Sequence, residues 1–476
     1  MFARVLIVLM VIYCARGENP AIRVIVSNKG LQYAGHAAAG WIQDKLEQVT
    51  LPNITGEIRS FVHIGYTLTG VTVRKCDFPE PSFEFYQGLS ALKMSIKGLN
   101  VALAGDWEAH WAFIKGGGSF QMALFGVDLV SIVHLGRDAG GHLSLTSANC
   151  SSKIDDIDIY FYGNRSWLIR SFKSQFKKRI KDQIKAMSCR AVDDLIANLD
   201  RHLKDMKVYF QVNQELILDL PLVGLPIVTA SSLHLGLKGE FYSVKGPKEP
   251  PFVALPFDIP EQPSYMLSVG LSEFTVNSAS FSYFSDDLLQ VFINDSMIPP
   301  SSPVRLNTNS MGQFIPQLPK MFPDLLMTVQ IYARNTPIFS FRSGAVALTS
   351  SGAVKAFAIQ PNATLTPLFK LHVDSDFSGK AWVADGRLKG LVTMDNLTLT
   401  LAETEIGTFK TVALEELAQK IIEAAVLPPL NEELARGFAL PRTKYAQLVN
   451  SVLTVEKGFV AFRSDAQLLE KDTIFN

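Results

Sequence analysis

The stretch Gly246–Pro263, GPKEPPFVALPFDIPEQP, places six of the chain's 24 prolines within 18 residues. Proline fixes φ and offers no N–H, so such a run enters neither helix nor sheet interior and favours extended, polyproline-like backbone. At about 3.1 Å per residue it reaches roughly 55 Å, the span of a domain. The alternating run Leu233–Val244 precedes it, and another, from Tyr265 to Ile293, follows. A chain of 476 residues is too long for one core. The sequence therefore predicts two β-rich halves, 18–245 and 264–476, joined by a semi-rigid strap at 246–263.

Charged residues make up 19% of the chain, below the usual quarter, while 47% are hydrophobic. Such a composition buries much apolar surface or holds an apolar ligand. With 45 basic and 45 acidic residues the formal net charge is zero, so a general attraction to nucleic acid is not expected and any electrostatic recognition is local.

The opening MFARVLIVLMVIYCARG has Arg4, nine apolar residues from Val5 to Tyr13, and small residues at Ala15 and Gly17. That is the pattern of a secretory signal peptide covering 1–17, too short for a spanning helix. No later run is apolar enough to span a bilayer, so a secreted, extracellular protein without a transmembrane segment is expected. Loss of the leader removes Cys14 and leaves Cys76, Cys150 and Cys189. In an oxidising compartment three cysteines form one bridge and leave one over. Cys150–Cys189 is the favoured pair, a loop of about 40 residues worth roughly 3–4 kcal/mol in the chain-entropy description. No CxxC or neighbouring histidine pair suggests a metal site. Glycosylation sequons stand at Asn53, Asn164, Asn294, Asn362 and Asn396, and at Asn149, where Cys150 occupies the middle position.

Along the chain, Ser27 or Asn28 can cap a helix running to about Val49, with Leu31, Ala34, Ala38, Trp41, Ile42 and Leu46 on one face. Its small-residue run Ala34–Gly40 suits close packing on a sheet or against an acyl chain. Period-two alternation then marks strands within Gly56–Leu135, with a hairpin tip at Gly116–Gly118. A second helix is predicted over Ser166–Leu203, with Leu168, Phe172, Phe176, Ile180 and Ile184 as its apolar stripe. Between Arg165 and Arg190 it carries nine Lys/Arg (Arg165, Arg170, Lys173, Lys177, Lys178, Arg179, Lys181, Lys185, Arg190) against one acid, Asp182. This is either a solvated face or a surface for anionic headgroups. Past the strap, strands are predicted at Met266–Phe292, Val304–Asn307, Met327–Ala333, Ala345–Thr349, Val354–Ile359, Phe369–Val373, Leu388–Met394 and Leu397–Leu401. A third helix follows at Leu414–Leu434, broken by Pro428-Pro429, and a closing strand at Val449–Phe462. The fold class is α+β.

Taken in order, several segments resemble the bactericidal permeability-increasing and lipopolysaccharide-binding protein family, related to the phospholipid and cholesteryl ester transfer proteins. They are Lys29-Gly30-Leu31-Gln32-Tyr33-Ala34, Leu51-Pro52 with Thr55-Gly56, and Lys238-Gly239-Glu240-Phe241-Tyr242-Ser243 before the strap. After it come Leu271-Ser272-Glu273-Phe274, Asn277-Ser278-Ala279, Ser296-Met297-Ile298-Pro299-Pro300 and Arg305-Leu306. Leu427-Pro428, Asn431-Glu432, Leu434, Gly437-Phe438 and Leu440-Pro441 close the series. The cysteine spacing also fits that family's single N-terminal disulfide.

The resemblance implies a boomerang of two barrels, each a twisted antiparallel sheet with a long helix, joined by a central sheet. It implies no cofactor, but a phospholipid in each half, with Leu31, Ala34, Ala38, Ile42, Phe172, Phe176, Leu417 and Ile421 as candidate pocket residues. It implies lipopolysaccharide and the bacterial outer membrane surface as partners, met by Lys115, Arg165, Arg170, Lys173, Lys177, Lys178, Arg179 and Lys181. Trp107, Trp111 and Phe113 are the candidate membrane-tip aromatics. The hairpin stretch Gly105–Phe120, GDWEAHWAFIKGGGSF, departs from the family's basic run: Lys115 is its one fixed cation, against Asp106 and Glu108. An innate-immune, antibacterial endotoxin binder and an extracellular phospholipid carrier without endotoxin preference both follow. An enzyme does not, since GxSxG, HExxH and paired-carboxylate motifs are missing from the sequence.

Overall fold

The protein is described here from a computed structural model covering residues 19–48, 50–59, 63–298, 304–442 and 446–469. The leader at 1–17 lies outside the described residues, as do Pro299 and Pro300. The α+β expectation holds: the described strands form antiparallel sheets, and helices cover them.

In the N-terminal half, long strands His63–Asp77, Ala91–Trp111, Ile114–Arg137 and Leu143–Phe161 lie side by side. Thr50–Leu51 and Ile54–Arg59 pair with the first of these, and Ser82–Tyr86 with the second. The sheet does not close edge to edge among the described residues. The helix Lys173–Asp205 bridges its two edges instead. Gln183 Nε2 donates to Thr55 O at 2.5 Å on one side, and Lys181 Nζ to Asp155 O at 2.9 Å on the other. Beneath it Phe176, Ile180 and Ile184 pack on Ile54, Leu68, Trp107, Phe120 and Ile157, all buried. Each such side chain stabilises the fold by about 1.5–3 kcal/mol through burial. From Phe172 to Ile184 the predicted stripe is thus the core face, the side chain of Leu168 lying outside those described, although the helix is interrupted at Ser171–Phe172, after a short turn Trp167–Arg170.

The two halves share a central sheet. Strand Ile22–Ser27 lies between Ser232–Leu237 of its own half and Leu267–Ser272 of the other, continued by the hairpin Phe459–Leu468 and Ala446–Glu456. The predicted single closing strand is this hairpin, turned at Gly458, where φ is +86°. The strap runs extended across the sheet and is fastened to it. Phe257 and Ile259 pack on Ile25 and Ala461, and Ile259 and Phe257 occupy the space where a Cβ on Gly270 would stand. Arg23 pairs with Asp258 at 2.9 Å, and Glu261 accepts from Ser231 and Ser232 at 2.9 and 2.7 Å. Lys29, at the start of the first helix Asn28–Gln48, reaches Asp465 at 2.8 Å and Ser264 O at 2.9 Å.

In the C-terminal half a second sheet orders Gln290–Asn294, Met327–Ala333, Ala345–Ile359, Leu365–Ala384, Arg387–Thr404 and Phe438–Ala439, with Ile338–Arg342 on the third strand. The expected continuous β run Met266–Phe292 is interrupted by a helix, Glu273–Ser285. Its serines explain the difference. Ser278 and Ser282 hydroxyls donate back to Thr275 O and Ser278 O at 2.8 and 2.9 Å, which satisfies them inside the helix. Their small size also admits strand Glu240–Ser243, whose Phe241 N–H donates to Ser278 Oγ at 2.9 Å. Val304–Asn307 is not a strand; Asn307 alone bridges Leu326. The break expected at Pro428-Pro429 is absorbed by a π turn, Ile422–Val426, between helices Val412–Ile421 and Leu427–Arg436. A wider turn accommodates prolines that cannot donate to the preceding turn.

Candidate functional site

The most chemically distinctive surface is the end of the N-terminal sheet. Strands Ala91–Trp111 and Ile114–Arg137 meet in a two-residue turn, Ala112-Phe113, with Ala112 at φ +50°. The tip therefore lies ahead of Gly116–Gly118, which belong to the strand. Those glycines serve another purpose. The segment Tyr162–Asn164 crosses them so closely that a Cβ on Gly118 would clash with Tyr162 O, and one on Gly163 would lie 2.6 Å from Gly117 O. Gly117 N–H donates to Asn164 O at 3.2 Å, and Tyr162 N–H to Ser119 O at 2.9 Å.

Strand alternation decides which aromatics face solvent. Trp107 points inward and is fully buried; its Nε1 donates to Tyr162 O at 3.0 Å and its ring meets Phe161 edge-on at 5.6 Å. It is a core residue, not a membrane-tip aromatic. Trp111 is half-buried against the same core. Phe113, in the turn, is fully exposed. Tyr160, Tyr162 and Trp167, which the sequence reading missed, are exposed as well, the first two paired with the strand some way back from the turn. Their signal was present in the alternation of Tyr160 and Tyr162 with the inward Ile159 and Phe161.

The candidate cations divide into two groups. Lys173 and Lys177 pair with Asp158 at 3.1 and 3.3 Å, and Lys173 also sits 4.6 Å from the Tyr160 ring centroid. Lys181 is tied to Asp155 O. The acidic strand segment Asp155–Asp158 thus engages part of the basic helix. Lys115, Arg165, Arg170, Lys178 and Arg179 are exposed. Arg165 donates to Lys115 O at 2.9 Å, which positions its guanidinium beside the turn, whereas Arg170 donates to Phe161 O at 3.0 Å, opposite Phe120 and further back along the sheet. Cationic side chains beside exposed aromatics can meet phosphate and acyl groups together.

The Tyr160 hydroxyl, then Lys173 and Lys177, hold the Asp158 carboxyl well below the usual carboxylate range. A carboxyl depressed in the folded state adds stability above its unfolded value, and that stability is lost as pH falls through the folded value. Asp158→Asn is therefore expected to be less stable than the parent at neutral pH, with the gap closing only below about pH 4. Urea midpoints between pH 7 and pH 3 check this; a gap constant down to pH 3 contradicts it.

The candidate pocket residues are less uniform. Leu31 is buried and Ala34 exposed on the first helix, where Gly35 lies against Phe83; the side chains of Ala38 and Ile42 lie outside those described. Phe176 is fully buried, with rings of Tyr66 and Phe161 at 4.5 and 4.9 Å, and Phe172 packs on the same core. These two fill the core and do not line an open pocket. Leu417 is half-buried and Ile421 exposed. Cys150 and Cys189 form a disulfide with Cα atoms 5.6 Å apart, and Cys76 is buried elsewhere. Asn53, Asn164, Asn294, Asn362 and Asn396 are all exposed. Among the described residues there is no cluster of three metal-ligating side chains, and no helix is long and apolar enough to cross a membrane.

Fold and tip together define a two-half α+β protein that presents an exposed aromatic beside cations at one end. The N-terminal domain of the LBP / BPI / CETP family matches residues 30–199, and its C-terminal domain residues 210–468. The chain belongs to this family. It is 32% identical over 452 residues to the bactericidal permeability-increasing protein of Sebastes schlegelii, covering 94% of this chain and 95% of that one. It is 27% identical over 459 residues to the lipopolysaccharide-binding protein of Homo sapiens, covering 96% and 95%. The crystal structure of lipopolysaccharide binding protein matches with a TM-score of 0.58 at 24% identity, over 95% of this chain and 100% of that one; this likeness concerns the fold.

Proposed function

We propose that this protein is a secreted lipid-binding protein that captures lipopolysaccharide at its N-terminal tip, with an endotoxin-neutralising or antibacterial outcome. The observation that carries the reading is the fully exposed Phe113 in the turn beside Lys115, with the Arg165 guanidinium fastened to Lys115 O. Guanidinium and ammonium groups displace divalent cations from lipid A phosphates, while the exposed aromatic enters the acyl layer of the bacterial outer membrane. The names of the relatives, lipopolysaccharide-binding and bactericidal permeability-increasing proteins, support it. A phospholipid in each half belongs to the same reading; solvent extraction and mass spectrometry of the purified protein test that part, and recovery of no lipid overturns it.

The pairing of Lys173 and Lys177 with Asp158, and Asp106 and Glu108 on the hairpin, favour a second reading: a phospholipid carrier without endotoxin preference. Binding to lipopolysaccharide-containing and to phosphatidylcholine-only vesicles separates the two. The parent is expected to prefer the former at least tenfold. Phe113→Ser with Lys115→Glu and Arg165→Glu is expected to remove that preference and flatten its salt dependence. Equal binding of the parent to both vesicles establishes the carrier reading instead.

A further inference from the structure

Strand Gln290–Asn294 opens the C-terminal sheet and pairs on one side, with Met327–Ala333. Its side chains alternate. Val291 and Ile293 share the face of the core residues Met327 and Val329, while Gln290, Phe292 and Asn294 share the outer one. Asn294 begins the sequon Asn294-Asp295-Ser296 and is exposed, with extended backbone at φ −117° and ψ 172°. Ser296 Oγ donates to Asn294 Oδ1 at 2.6 Å, and Asn294 Nδ2 donates to nothing among the described residues. Phe292, two residues earlier on the same face, is 51% exposed. Asn164 also follows an aromatic, Tyr162, but Gly163 between them sits at φ +112° and the segment is not strand. Beside Phe292 the cross-strand partners Gln290–Tyr332, Phe292–Gln330 and Gln330–Lys355 bring together a pocket of about 190 Å³, which Asp287 also lines. Gln330 Nε2 donates to Gln290 Oε1 at 3.1 Å, and the Lys355 ammonium lies 5.5 Å from the Tyr332 ring centroid. Gln330 Oε1 and the Asp287 carboxylate accept nothing among the described residues, and Lys355 forms no salt bridge there.

A half-exposed ring followed by unfilled donors and acceptors on one face suits a sugar chain, whose rings present apolar C–H faces and hydroxyl edges. The strand also needs a cover. It is the outermost of its sheet, with Val291 and Phe292 about half exposed, and such an edge is open to pairing with another chain. We propose that Asn294 carries an N-linked glycan that lies back along this strand. Its innermost N-acetylglucosamine rests on Phe292, and the following sugars enter the pocket, where Gln330, Asp287 and Lys355 take their hydroxyls. The four residues from Asn294 to Gln290 span about 13 Å, a distance that the first sugars cover. The bond from Nδ2 to the anomeric carbon forms as that carbon leaves the diphosphate of a lipid-linked oligosaccharide donor. The diphosphate departs with the bonding pair, and the amide gives up one proton. The glycan thereby becomes a structural part of the sheet edge. This rests on the reading of the chain as secreted.

Expression of the full chain in glycosylating cells, with glycopeptide mass spectrometry of the secreted protein, is expected to find sugar on Asn294. Secreted protein that is bare at Asn294 overturns the proposal alone. Protein that stays inside the cell overturns the secreted reading, and the glycan with it. Thermal melts of the parent, Asn294→Gln, Phe292→Ser and the double variant read the contact, with occupancy of Asn294 checked by the same mass spectra. Loss of the glycan is expected to lower the midpoint by about 2 °C or more where Phe292 is present, and by much less where serine replaces it. Equal shifts in both backgrounds overturn the packing on Phe292. Trimming all glycans to their innermost sugar with an endoglycosidase is expected to lower the midpoint of the parent more than that of Asn294→Gln. An equal effect on the two overturns the role of the pocket.

Discussion

Trp107→Ala is expected to lower the stability of the N-terminal half by about 3–5 kcal/mol, the range for emptying a large aromatic from a core. Trp107 is fully buried, its indole N–H is satisfied by Tyr162 O, and its ring is packed on Phe161. Truncation leaves a cavity beneath the helix Lys173–Asp205 and strips the Tyr162–Asn164 crossing of its anchor. Phe113→Ser, six residues on but fully exposed, is expected to change stability by no more than about 0.5 kcal/mol. Urea denaturation followed by circular dichroism reads both. A nearly neutral Trp107→Ala that nevertheless weakens vesicle binding would return Trp107 to the surface and refute its place in the core.

The second large effect concerns the disulfide. Replacing Cys150 and Cys189 together by alanine is expected to cost about 4 kcal/mol, given the loop they close. The two residues are 39 apart in sequence, so the bridge restricts the unfolded chain over most of the long helix and the strand it packs on. The folded contacts are expected to survive. Leu145 N–H still donates to Asp200 at 2.8 Å and Ser147 Oγ to Asp193 at 2.5 Å, holding the same helix to the same strand. The variant should therefore fold to an unchanged circular dichroism spectrum but melt earlier and unfold at lower urea. Loss of helical signal under native conditions would mean instead that the bridge positions the helix.

Much of the architecture was readable because it rests on local periodicity. The i+4 stripe of Phe176, Ile180 and Ile184 marks a helix face, and it is the buried one. Period-two alternation located most strands. The helix Glu273–Ser285 escaped because threonine, valine, tyrosine and phenylalanine favour strand on propensity, while serine favours caps and turns over helix interiors. Its serines are stabilised by back-bonding and by a strand 30 or more residues upstream, as in Phe241 N–H to Ser278 Oγ, 37 residues apart. Trp107 was misplaced for a related reason. Composition groups it with Trp111 and Phe113, whereas the turn at Ala112-Phe113 puts one at the tip and leaves the other inside.

The sequence by itself determined the α+β class, the apolar face of the basic helix and the family likeness. Each of these is carried by residue type at short spacing, where backbone stereochemistry permits few outcomes. Only the tertiary structure decided which cations remain at the surface. Lys173 and Lys177 are claimed by Asp158, on a strand that ends before the helix begins, while Lys178 and Arg179, adjacent to Lys177 in the chain, stay exposed. It also decided that the halves share one sheet, with Ile22–Ser27 paired to Leu267–Ser272, and that the strap lies fastened across it. Charge pairing and strand partnership depend on which distant segments meet, and that is set by burial of the core as a whole.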